Sequence, residues 1–129
     1  MKVAIVGAGL MGSQIGVEYA LAGHDVTWVA RTAATARPRI EDAFAVAERY
    51  GLAAPEVVET ARRRSAVVLS VEGIDPACGL IVESVVEDLD TKIAVLAPAA
   101  TAAPKAILAT NTSSLPIGAI ADAIGAAER

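Results

Sequence analysis

Three glycines close to the amino terminus, in Gly7-Ala8-Gly9-Leu10-Met11-Gly12, have the spacing that suits capture of a diphosphate. In such a pattern Gly7 permits a tight turn, Gly9 lets backbone amides approach the pyrophosphate, and Gly12 lets a following helix pack close on its strand. The free N–H groups at the helix start, around Leu10 and Met11, and the positive end of the helix dipole then face the phosphates. A second group with chemical meaning is Arg31-Thr32. Dinucleotide sites that prefer NAD carry an acidic residue ~20 positions beyond the glycines to hold the ribose 2′-hydroxyl. The window here reads Val29-Ala30-Arg31-Thr32 and holds no carboxylate. Asp25 cannot substitute, because a strand rising ~3.3 Å per residue leaves it on the order of 15 Å from the required edge. Ala30 removes the negative charge, Arg31 offers a guanidinium fork to a 2′-phosphate, and Thr32 adds a hydroxyl, so NADP is expected in preference to NAD. Stacking of Arg31 on adenine, or its exposure to water, is the competing reading.

Positioning these groups requires alternating strands and helices. Apolar, β-branched runs predict strands at Val3–Val6, Val26–Val29, Ala66–Leu69, Leu80–Glu83 and Ala106–Thr110. Between them the spacing predicts helices from the glycine turn to Gly23, from Ala33 to about Tyr50-Gly51, from Pro55 to the Arg62-Arg63-Arg64 triplet, and from Leu89 to about Ala100. Pro116 is expected to start a last helix, Ile117 to about Ala126. Pro38 is read as a first-turn proline, with Ile40, Phe44 and Ala47 as the apolar stripe behind it. Asp88 or Asp90 favours the start of the helix at Leu89, and Val71–Pro76 is a loop. Strict alternation of this kind implies an open, mostly parallel sheet. In such a sheet ligands bind at the carboxyl ends of strands, which places His24, the sole histidine, on the wrong edge for a catalytic base.

Composition narrows the class further. A chain of 129 residues suits one domain, and 54% hydrophobic residues with only 3% aromatic means a core built from Ala, Val, Ile and Leu. No apolar run reaches the roughly 18 to 20 residues of a membrane span, and no basic leader precedes the first strand, so a soluble, cytoplasmic protein without a membrane partner is expected. Net charge is −4, and the arginine triplet near a helix end is read as offsetting the dipole rather than gripping nucleic acid. Cys78, the one cysteine, reads as a small buried hydrophobe, and no metal site is expected.

The segments VAIVGAGLMG, GHDVTW, LIVESVVEDLDTK and ILATNTSSL together resemble the NAD-binding domain of the 3-hydroxyacyl-CoA dehydrogenase family, over Lys2 to Arg129. Ile81–Lys92 and Ala109–Leu115 carry the resemblance most specifically. It implies a single-domain α/β, Rossmann-like fold: a doubly wound, mostly parallel sheet with helices on both faces. It implies NAD or NADP as cofactor, with Glu87 and Lys92 at the nicotinamide-ribose end; Gly7, Gly9, Leu10, Met11, Gly12, Arg31, Thr32 and Asn111 are the other candidate cofactor contacts, and the acid that family members usually place where Ala30 stands is absent. Ser113 would hydrogen-bond near the substrate's 3-oxygen. Read as local chemistry instead, Asp88 and Lys92 form an i,i+4 pair, and Ser114 caps the last helix. The implied activity is hydride transfer between nicotinamide and C3 of a 3-hydroxyacyl-CoA or a related 3-hydroxy acid, by a parent that dimerises through a helical domain. The family's catalytic histidine segment is expected beyond Arg129, so residues 1–129 alone are expected to bind without turnover. The family's coenzyme A-holding serine and lysine align with Ala43 and Tyr50, and a non-catalytic dinucleotide module or a small hydroxy-acid dehydrogenase are the alternatives.

Overall fold

The run Lys2–Val6 forms strand β1, whose alternate side chains enter two separate cores. Val3 and Ile5 face one core, Ala4 and Val6 the other. The computed structural model describes residues 1–129. Four further strands, β2 (Asp25–Val29), β3 (Ser65–Val68), β4 (Leu80–Glu83) and β5 (Ile107–Thr110), complete a sheet in the order β3-β2-β1-β4-β5. Every pairing is parallel. Helices α1 (Leu10–Leu21), α2 (Ala33–Arg49) and α3 (Pro55–Arg63) supply the first core; α4 (Leu89–Ala102) and α5 (Ile117–Ile124) supply the second. The expected doubly wound α/β architecture is the one observed. None of its helices is long and apolar enough to cross a membrane.

The chain moves outward from β1 through β2 to β3, then returns to place β4 on the other side of β1. Such a reversal opens a crevice above the carboxyl ends of the two strands that flank it. Trp28, fully buried on β2, anchors α1 beside this crevice: its Nε1–H donates to the Gly12 carbonyl at 3.0 Å. Gly16 makes the contact possible, since a Cβ there would lie 2.3 Å from the indole.

Several local expectations change. Thr32 caps α2 by accepting the Thr35 N–H, so that helix starts five residues before Pro38, which sits exposed in the second turn rather than the first. Register with β2, Val26 opposite Ser65, starts β3 one residue early and leaves Leu69 outside it. One turn of 3-10 helix, Val71–Gly73, interrupts the predicted loop. Gly125, at φ +63, ends α5 short of Ala126. The arginine triplet is engaged by carboxylates rather than merely placed near a dipole: Arg62 with Glu41 and Glu48, Arg63 with Glu59, and Arg64 with Asp25.

Candidate functional site

Three loops meet above the carboxyl edge, and each is tied down by its strand. The first is the glycine loop between β1 and α1. Gly7 has φ +109, open to glycine and strained for other residues, and a Cβ there would lie 2.5 Å from the Ser84 carbonyl oxygen. Gly12 is more constrained still, because its Cβ would lie 1.9 Å from the Gly7 carbonyl oxygen. Gly9 is the opposite case: no heavy atom lies within 4 Å of its would-be Cβ. Beyond it, α1 starts with no side-chain cap and no acid in its first turn, and the first helical amide with a partner is that of Ser13, bonded to the Gly9 carbonyl. The amides of Leu10, Met11 and Gly12 therefore remain available to an anion, over open space that no side chain fills. That arrangement fits a dinucleotide diphosphate.

The second loop follows β2. Ala30 is half-buried, Arg31 is exposed and without a carboxylate partner, and Thr32 is the α2 cap. The Thr32 hydroxyl is thus shared with Thr35 Oγ1 at 2.8 Å before any ligand arrives. His24 lies at the start of β2, on the amino edge as expected, and Cys78 is buried with its thiol pushed up by desolvation.

The third region is the joint between the Ser84–Asp88 and Asn111–Ser114 segments. At its base lies a group the sequence reading passed over. Glu83, the last residue of β4, is fully buried, as is Lys92 of α4. The pleat explains it: Ile81 faces the α4 core, so Glu83 does too, directly opposite Thr110 of β5. Lys92 Nζ donates to both Glu83 oxygens at 2.9 Å, while the Thr110 hydroxyl and the Val85 N–H complete the carboxylate's shell. The expected Asp88–Lys92 surface pair does not form, because Asp88 accepts from Thr91 and caps α4. Lys92 sits beneath the crevice floor instead. Its third carboxylate contact is Glu87 Oε2 at 3.2 Å, with the Asn111 carbonyl oxygen at 3.4 Å.

Glu87 carries the top of this stack. Its Oε1 accepts from the Thr112 hydroxyl, the Ser113 N–H at 3.0 Å, the Ser114 N–H at 3.2 Å and the Ser114 hydroxyl at 3.0 Å. Ser114 is therefore bound to Glu87 rather than capping α5, whose first position follows Pro116 without a side-chain cap. Asn111 Nδ2 donates to Ser84 Oγ at 3.2 Å, which joins the two segments again. The Ser113 side chain is exposed at the joint, its backbone held while its hydroxyl is uncommitted. Leu10, Met11, Val86 and Ile117, each in a segment that follows the carboxyl end of a strand, are exposed apolar side chains.

Donation by the Thr112 hydroxyl, followed by that of the Ser113 amide and the Ser114 groups, pulls the Glu87 carboxyl from 4.5 down to about 2. A folded-state value below the unfolded one stabilises the loop fully above the unfolded value. That contribution fades as pH falls from about 4.5 towards about 2. A carbon-detected NMR titration should accordingly give Glu87 a midpoint near 2, with Ser113 and Ser114 amide protection lost over the same window. A midpoint in the ordinary carboxylate range would contradict this geometry.

Comparison with known proteins agrees with the architecture. The sequence model described as the NAD binding domain of 3-hydroxyacyl-CoA dehydrogenase matches residues 2–129. FadB2 of M. tuberculosis is similar in structure, with 32% identity and a TM-score of 0.84 over 94% of this chain and 44% of its own. The 3-hydroxybutyryl-CoA dehydrogenase of Escherichia coli gives 30% identity and a TM-score of 0.84, over 94% of this chain and 26% of that one. The (S)-3-hydroxybutyryl-CoA dehydrogenase of Ralstonia eutropha gives 25% and 0.85, over 95% and 44%. The chain thus spans less than half the length of these proteins. No curated protein sequence matches it significantly.

Proposed function

The chain belongs to the 3-hydroxyacyl-CoA dehydrogenase family through its NAD-binding domain, and from that premise we propose that it is the cofactor-binding part of an oxidoreductase. The reaction is hydride transfer between a nicotinamide and C3 of a 3-hydroxyacyl-CoA or a related small 3-hydroxy acid. Its carrying observation is the uncapped start of α1, where the amides of Leu10, Met11 and Gly12 have no partner and the space at Gly9 is open. Bound nicotinamide dinucleotide supplies the hydride chemistry. The chain's own residues do the rest. Gly7, Gly9 and Gly12 let the backbone close on the diphosphate, Arg31 and Thr32 serve the adenosine ribose, and Glu87 and Asn111 line the nicotinamide half. Lys92 acts from below by holding Glu87. The Ser113 hydroxyl orients the substrate oxygen, presented by a loop whose backbone Glu87 has fixed.

Arg31, exposed and unpaired beside uncharged Ala30, supports NADP over NAD. Calorimetric titration of residues 1–129 should give a lower dissociation constant for NADP(H) than for NAD(H), and Arg31→Ala should abolish the difference. Tighter NAD(H) binding by the unsubstituted chain would reverse this assignment.

Removing a hydroxyl proton requires a base, and these residues offer none at the crevice. His24 lies on the opposite edge, and Glu87 already accepts four hydrogen bonds and contacts Lys92. This supports a division in which residues 1–129 bind dinucleotide while the base comes from residues outside 1–129. With acetoacetyl-CoA and NADPH, the 129-residue chain should bind cofactor yet show negligible turnover. Substantial turnover would refute the division. Ala43, in the position of the family's coenzyme A-holding serine, is buried in the core, which favours testing free 3-hydroxy acids beside the thioesters.

A further inference from the structure

The crevice has an uneven charge distribution. Pyrophosphate at the β1–β4 reversal leaves the adenosine half over β2, beside Arg31, and the nicotinamide half over β4 and β5. On that second side the only cation in the sequence between Arg64 and Lys105 is Lys92. Lys105 precedes β5, and Arg129 bonds the Ala103, Pro104 and Ala106 carbonyls, so both lie toward the amino edge. Lys92 is claimed symmetrically by Glu83, at 2.9 Å to each oxygen, with no exposure of either side chain. Glu87, 3.2 Å away, is the second carboxylate on one ammonium and is 36% exposed at the crevice. Two carboxylates around one ammonium leave a single negative charge in excess, and Asp88, which caps α4, adds none of the opposite sign.

We propose that Glu87, backed by the buried Glu83–Lys92 pair, makes this site discriminate between the oxidation states of nicotinamide, favouring the cationic pyridinium over the neutral dihydropyridine. The proposal rests on the dinucleotide reading above. Both forms of the cofactor share the same diphosphate, riboses and adenine, so the contacts at α1 and Arg31 cancel in a comparison of the two. What remains is one unit of charge on the ring, and a fixed carboxylate beside it acts on that difference alone. Glu83 cannot touch any ligand, yet its charge contributes to the same field. It is a positioning residue with an electrostatic reach.

Calorimetric titration of the 129-residue chain with oxidised and reduced dinucleotide gives the ratio of the two dissociation constants. Glu87→Gln should raise the ratio of oxidised to reduced by about three- to ten-fold, chiefly by weakening the oxidised form. Glu83→Gln should move it the same way by less. A purely structural role for either side chain would weaken both forms together and leave the ratio still. If a variant does not fold, the unsubstituted chain decides: raising salt from about 20 mM to about 500 mM screens the field and should raise the ratio. A ratio unmoved by Glu87→Gln, or by salt where that variant does not fold, overturns the proposal while binding itself persists. Failure of the unsubstituted chain to bind either form would instead remove the dinucleotide reading.

Discussion

Gly12→Ala should yield a chain that unfolds far more readily and no longer binds dinucleotide, whereas Gly9→Ala should fold almost normally and still lose affinity. The contrast follows from what each new methyl group would meet. At Gly12 it would lie 1.9 Å from the Gly7 carbonyl oxygen, 3.1 Å from the carbonyl carbon and 3.3 Å from Ser84 Cβ. Two of those three atoms are backbone of the loop that must stay tight, so relief requires α1 to move off β1. The Trp28–Gly12 hydrogen bond opposes that motion. Overpacking of this kind costs about 3 kcal/mol, which exceeds the ~1 kcal/mol that alanine gains over glycine within a helix. At Gly9 the φ of −77° is ordinary and nothing lies within 4 Å, so loss of the glycine cap should cost no more than about 1 kcal/mol. On the proposed reading the new methyl group would stand where the diphosphate approaches this open space, and affinity should fall at least about ten-fold, or ~1.4 kcal/mol. Thermal melts run beside calorimetric titrations separate the two. Undiminished binding by Gly9→Ala would show that the diphosphate does not approach that amide.

Lys92→Met should be the most damaging single change outside the glycine loop, costing about 3–5 kcal/mol. It strips the fully buried Glu83 carboxylate of two hydrogen bonds and its counter-charge, leaving a buried ion with only the Val85 N–H and the Thr110 hydroxyl as donors. It also removes the cation from Glu87. Glu83→Gln combined with Lys92→Met should recover part of the loss. The neutral amide keeps one acceptor for the Val85 N–H, and its NH2 can donate to the Thr110 hydroxyl, with no charge to desolvate. Urea unfolding of the two single variants and the double one measures the coupling. If Lys92→Met unfolds within about 1 kcal/mol of the unsubstituted chain, the buried pair does not stabilise this corner of the fold.

The five strands, five helices and glycine loop were legible in the chain because each rests on local signals. Period-two or continuous apolar runs mark strands, and glycine spacing and helix-start residues mark the turns between them. Ala30-Arg31 was readable for the same reason, since its distance from the glycines is a matter of strand and helix length. Errors of one or two residues arose where a neighbour sets the boundary, as when β2 fixes where β3 begins; α2 starts at Ala33 as read, and only the turn that holds Pro38 differs.

The network under the crevice was not legible. Leu80-Ile81-Val82-Glu83 reads as a strand ending in an acid, and nothing local says that α4 and β5 will cover that acid completely. Asp88–Lys92 and Ser114 as a cap were sound local pairings, yet each lost to a partner brought in by folding. Thr91 took Asp88, Glu83 took Lys92, and Glu87, 27 residues before Ser114 in the chain, took its hydroxyl. The sequence by itself determined where a dinucleotide could be cradled, because backbone geometry there depends on which residues lack a side chain. Only the tertiary structure decided which charges are buried and which hydroxyl stays free, because burial and partnership depend on strands and helices that meet across the sheet.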